Sequence, residues 1–66
     1  MMKVSYDAQV DVLRILLSDK AIFESDEDKP GIILDYDEAG NLVGIEILDA
    51  SSRTDNPRLV ELAVSA

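Results

Sequence analysis

Apolar and polar positions alternate along most of the first fifty residues, the period of a strand with one buried face. In Lys3–Asp7 (KVSYD), Val4 and Tyr6 fall on one face and Lys3 and Ser5 on the other. Val12–Ser18 (VLRILLS) places Leu13, Ile15 and Leu17 on one face and Val12, Arg14 and Leu16 on the other. A strand apolar on both faces belongs in the middle of a sheet or under a covering element. Arg14 is expected to lay its stem along that surface and pair with a carboxylate. Asp7–Asp11 reads as a loop and Ser18-Asp19-Lys20 as a turn. Ala21–Ser25 (AIFES) reads as a short strand anchored by Ile22 and Phe23. Asp26–Gly31 (DEDKPG) reads as a solvated loop, because its like charges repel and Pro-Gly marks a turn.

The clearest unit is Gly31–Ala50 (GIILDYDEAGNLVGIEILDA), two β-branched runs around a short polar turn. Ile32–Tyr36 and Leu42–Leu48 read as hairpin strands, with Gly40 supplying positive φ in the loop Asp37–Asn41. Asp35 and Glu46 are then expected on nearby positions of paired strands, facing outward or lying at the edge. After the polar stretch Ser51–Asn56, Asn56-Pro57 gives an N-cap residue and proline at the first helical position. Leu59, Leu62 and Ala63 follow at helical spacing, so Pro57–Val64 is expected to be a short helix. Val60, Leu62 and Val64 also alternate, which leaves a last strand as the alternative. A helix of eight residues must pack on something to persist.

Strands first and helix last imply a small α+β domain. The expected form is an antiparallel β-meander of four to five strands over residues 2–50, a polar loop over 51–56 and a C-terminal helix over 57–65. The expected core is Leu13, Ile15, Leu17, Ile32, Leu34, Val43, Ile45 and Ile47, with Leu59, Leu62 and Val12 or Leu16 as candidates for helix or subunit contacts. The whole chain of 66 residues forms a single domain in this reading. A domain this short buries only about 60% of its unfolded surface and usually needs reinforcement. With no cysteine and no histidine, disulfides, thiolate sites and the commonest transition-metal ligand are all excluded. Association into a homo-oligomer, a dimer in the simplest case, is the remaining way to bury a chain that is 47% hydrophobic.

The formal charge of −8 disfavours nucleic acid and suits a basic protein partner. The opening MMKVSYDAQ lacks the apolar core of a secretory signal, and no apolar run approaches the roughly 20 residues of a membrane span. A cytoplasmic location without membrane contact is therefore expected.

Two chemistries remain to be weighed. Asp35–Glu46 can be laid over a twelve-residue calcium loop, with Asp35 and Asp37 at positions 1 and 3, Gly40 at 6 and Glu46 at 12. Ala39 at position 5 supplies no side-chain oxygen, and the flanks read as strands where helices are needed. The hairpin reading therefore leads, and Asp35, Asp37 and Glu46 stay as weak metal candidates. A small hydrolase built across a subunit interface from Asp35, Glu46 and Asp49 is the other alternative. Against it, a single short chain hardly encloses a cleft, and there is no nucleophile elbow or phosphate-binding glycine loop. No cofactor and no catalytic residue are assigned. Tyr6, Phe23 and Tyr36 read as packing anchors.

The combination of KVSYD, VLRILLSD and PGIILDYDEAGNLVGIEILDAS resembles the YuzE-like family of small proteins with a domain of unknown function. The match covers about Met2–Ser52 and is carried by Asp35, Tyr36, Asp37, Gly40, Gly44, Glu46 and Asp49. The resemblance implies a β-rich meander and brings no established activity. Some small proteins of this kind sit beside toxin-like partners, so it also suggests an antitoxin-like role. The expectation is a non-enzymatic oligomeric or protein-binding module.

Overall fold

In the computed structural model, which describes residues 1–66, the first two alternating segments pair as an antiparallel hairpin. β1 (Lys3–Asp7) and β2 (Val12–Leu16) set Tyr6 opposite Leu13 and Ser5 opposite Arg14. β3 (Glu24–Lys29), β4 (Ile32–Tyr36) and β5 (Leu42–Leu48) follow as three antiparallel neighbours. The two pieces join through β2 and β5, with Arg14 opposite Glu46 and Ile15 opposite Ile45. The resulting sheet has the order β1-β2-β5-β4-β3. It is the expected antiparallel sheet, with one difference from a simple meander: the chain leaves β2 and passes two strands before re-entering at the far edge. Leu17 N–H donates to the Val43 carbonyl and Phe23 N–H to the Tyr36 carbonyl, so Leu17–Phe23 crosses the ends of β5 and β4 on the way.

The hairpin strands and Asp37–Asn41 lie where the alternation puts them. The third strand does not. Ala21–Phe23 is outside the sheet, and the acidic run Glu24–Lys29, expected as mostly loop, is β3. Every β3 residue is exposed, so the strand needs no apolar face. Its ladder to β4 is sufficient, with a bulge between Glu27 and Lys29. Charge and a bulge on an outer strand are the usual means of keeping an edge from pairing with other chains.

The helix is also displaced. α1 spans Ala50–Arg53, inside the expected polar loop, and Pro57–Val64 forms neither helix nor strand. Asn56 does cap: its Oδ1 accepts from Arg58 N–H and its carbonyl from Leu59 N–H. One turn forms and nothing continues it, because no surface of the sheet takes up the apolar side of a longer helix. Leu59 and Leu62 are exposed.

Alternation along β5 divides the sheet. Val4, Tyr6, Leu13, Ile15, Ile45, Ile47, Ile32 and Leu34 share one face, which is apolar across its centre and carries Glu24, Asp26 and Lys29 of β3 at one margin. The opposite face mixes Leu16, Leu48 and Ile33 with Arg14, Glu46, Asp35 and Ser25. The molecule measures 35 × 33 × 19 Å, a single layer of sheet. Of the expected core, Leu13 and Val43 are buried, and Ile15, Ile32, Leu34, Ile45 and Ile47 are half-buried. Leu17 is exposed, since β2 ends one residue before it.

Candidate functional site

The polar face gathers its chemistry around Asp35. Register puts Asp35 between Ser25 of β3 and Gly44 of β5. It is completely buried, against the expectation that it would face outward. Ser25 Oγ donates to Asp35 Oδ1 at 2.6 Å. The other oxygen, Oδ2, is buried without a hydrogen-bond partner. Glycine at position 44 makes room for it: a Cβ there would stand 3.1 Å from Oδ2 and 3.4 Å from the Ile15 carbonyl.

Glu46 stands beside it, two positions from Gly44 on the same face of β5. Its carboxyl pKa is raised above the ordinary 4.5, first by a hydrogen bond with Asp35, then by burial and by the Asp35 charge, with Arg14 opposing. Two ionised carboxylates have only acceptors and repel at such range. The proximity of the two carboxyls thus favours the protonated form of Glu46. Arg14, expected to pair with a carboxylate, faces Glu46 across the strands. Its Nε is nevertheless buried without an acceptor.

Asp37 is drawn into separate work. Its Oδ1 accepts from Ala39 N–H at 3.0 Å and Asn41 N–H at 2.8 Å, and its Oδ2 lies 3.9 Å from Lys20 Nζ. These contacts hold its pKa below 3.8, the Asn41 backbone bond most of all. The twelve-residue calcium-like segment is thus a β-hairpin whose loop carboxylate binds its own backbone. Asp35 and Glu46 meet, Asp37 does not join them, and nowhere do three carboxylates converge where a metal could sit. Asp49 is exposed with φ 53° and opens α1, its carbonyl accepting from Ser52 N–H and Oγ.

A second cluster had no signal in the sequence, since its members, Tyr6, Asp11 and Ser51, are far apart along the chain. Asp11, with φ 57°, accepts from the Tyr6 hydroxyl at 2.7 Å, from Ser51 N–H at 2.9 Å and from Ser51 Oγ at 2.6 Å. These bonds tie α1 to the β1–β2 turn. They lower the Asp11 pKa, with Ser51 the largest cause, and raise that of Tyr6, with the Asp11 bond the largest cause.

The chain has one cleft, of about 360 Å³, on the apolar face. Val4, Tyr6 and Leu13 form its floor and Pro57, Arg58 and Val60 its wall, with the Arg58 guanidinium 5.6 Å from the centre of the Tyr6 ring. The carboxyl pair is on the other face. No helix is long and apolar enough to cross a membrane.

A family model described as "Protein of unknown function (DUF2283)" matches residues 3–51, from the start of β1 into α1. Neither a curated protein nor a solved structure matches the chain.

Proposed function

The chain belongs to the DUF2283 family of proteins of unknown function, and on that premise we propose that it is a non-enzymatic, YuzE-like cytoplasmic module that works as a homodimer. One observation carries this reading: the apolar sheet face has no second layer. Only three apolar residues are buried in the whole chain, Leu13, Val43 and Ala50, while five aliphatic side chains at the centre of that face remain half-buried. A second copy laid against the broad side of a molecule 35 × 33 Å across has room for the roughly 800 Å² per partner of a standard interface.

A non-catalytic role is supported by where the titratable groups sit. Asp35 is sealed from solvent, and the cleft holds no carboxylate. Sedimentation equilibrium from 1 to 100 μM tests the assembly, with concentrations chosen to span roughly micromolar dissociation constants. A dimer is expected for the wild type, with Ile45→Asp dissociating or unfolding it through a buried unpaired charge. A monomer across the whole range would overturn the reading.

A further inference from the structure

Two polar side-chain atoms of this sheet are buried without a hydrogen-bond partner, Arg14 Nε and Asp35 Oδ2. The first is a donor and the second an acceptor. Both belong to the polar face, and Glu46 of β5 stands between them. Register sets Glu46 directly opposite Arg14 of β2 and opposite Ile33 of β4, which places Asp35 on the diagonal. Directly opposed residues lie about 5 Å apart at Cβ and diagonal ones about 7 Å, so a glutamate reaches either neighbour. Gly44, opposite Asp35, has no side chain to stand in the way. The Glu46 carboxyl lies within hydrogen-bond range of Asp35 while Arg14 Nε has no acceptor, so one position does not serve both orphans. An ionised carboxylate only accepts, which suits Arg14. A protonated carboxyl has an O–H to give, which suits Asp35.

We propose that Glu46 is a two-position latch: with its proton it bonds Asp35 Oδ2, and without it the carboxylate turns to the Arg14 guanidinium. One proton then decides whether β5 is tied to β4 or to β2. That proton passes between Glu46 and water, because Glu46 is half-buried whereas Asp35 is sealed. β2 and β5 form the seam that joins the β1–β2 hairpin to the other three strands. The ionised position adds a charge-assisted bond across that seam, and the protonated position removes it. The latch lies on the face opposite the one assigned to a second copy, so it holds for monomer and dimer alike.

The surroundings leave the choice to these three side chains. Asp35 Oδ1 is already taken by Ser25 Oγ of β3. Glu27 of β3, opposite Ile33, is exposed and its Oε2 accepts from Gly31 N–H. Lys3 and Asp7 of β1 stand opposite Leu16 and Val12, one strand beyond Arg14. Arg53 of α1 donates to the Pro30 carbonyl. The ion pairs of the chain, the Met1 amino group with Asp19 and Lys20 with Asp37, involve none of the three. Asp35 pushes the Glu46 titration up and Arg14 pushes it down, and Asp35 prevails.

The test is carbon-detected NMR on the full wild-type chain. It follows the Glu46 and Asp35 carboxyl carbons and Arg14 Nε–H from about pH 4 to about pH 8, a span that brackets ordinary and raised carboxyl values. The Glu46 carbon is expected to titrate with a midpoint above 4.5. Across that midpoint, Arg14 Nε–H exchange should slow by about tenfold relative to Glu46→Gln at the same pH, as a charge-assisted bond forms. Asp35→Asn is expected to lower the Glu46 midpoint and Arg14→Gln to raise it. Arg14 Nε–H exchange that matches Glu46→Gln throughout overturns the latch. So does a proton that titrates on Asp35 in place of Glu46. Wild type and Glu46→Gln decide between these outcomes, and the wild-type carboxyl carbons do so even if a variant fails to fold.

Discussion

Gly44 lies directly against Asp35, and the hydrogen it carries in place of a methyl group is what admits a carboxylate to the interior of this sheet. A methyl at that position would meet Oδ2 at 3.1 Å, and Asp35 is held from the other side by Ser25. The carboxylate cannot retreat. Gly44→Ala is therefore expected to destabilise the protein by about 1–3 kcal/mol, the usual range for overpacking a well-filled site. Chemical denaturation at pH 7 measures it, and a neutral result would show that Asp35 moves freely.

The Asp35–Glu46 pair gives stability an unusual pH dependence. Glu46 titrates higher in the folded state than in the unfolded chain. Its contribution is fully present below the ordinary pKa of 4.5 and is lost as pH rises through the folded value. Asp11 and Asp37 have lowered values, so theirs is present above 3.8 and lost as pH falls through the folded values. On the alkaline side of 4.5 the falling limb thus belongs to Glu46. Wild-type denaturation midpoints should fall as pH rises through the folded Glu46 value, and Glu46→Gln, which cannot ionise, should flatten that limb. Equal slopes in the two proteins would show that Glu46 ionises normally.

Asp11 should report on the attachment of α1. Asp11→Asn keeps a residue type that tolerates positive φ while removing the charge that Tyr6 and Ser51 bond. The Tyr6 phenol is expected to titrate closer to 10.0, and the Ala50–Arg53 amides to exchange faster, with the sheet amides unaffected. Following both in one NMR titration separates this tether from general destabilisation. Unchanged Tyr6 titration would remove Asp11 as its cause.

Gly31 and Gly40 form a matched pair. Both have positive φ, 83° and 86°, so alanine is strained at either. A Cβ on Gly31 would also stand 2.6 Å from Arg53 Nη2, which donates to the Pro30 carbonyl at 2.7 Å, whereas Gly40 faces open space. Gly40→Ala should cost about 1 kcal/mol for backbone strain alone. Gly31→Ala should cost more, and in the Arg53→Ala background the excess should disappear. A double-mutant cycle by thermal denaturation measures that difference.

How much of this could be seen in the sequence depends on what each residue's pattern encodes. The strands Lys3–Asp7, Ile32–Tyr36 and Leu42–Leu48 were legible because their buried faces impose period two, and Gly40 marked the loop. β3 was not, since an edge strand exposed on both faces needs no apolar period and its carboxylates imitate a loop. The capping signal at Asn56-Pro57 was correctly read and still made only one turn, because propagation depends on packing and the residues beyond Val60 stay exposed. Asp35 and Glu46 could be placed on one face from alternation. That Asp35 is buried follows from Gly44 and Ser25 on two other strands, which local pattern cannot reveal. Tyr6, Asp11 and Ser51 meet only through the tertiary fold.

The two margins of the sheet are unlike, and that makes assembly self-limiting. β3 is acidic along its length and interrupted by a bulge, so a strand arriving there meets both repulsion and a broken ladder. β1, with one lysine and one aspartate, offers the only neutral margin. If a second sheet joins edge to edge, it must do so β1 to β1, and the product then shows β3 at both ends. Growth stops after a single addition. A protein that leaves so much apolar surface uncovered is in this way kept from becoming the repeating unit of a fibre.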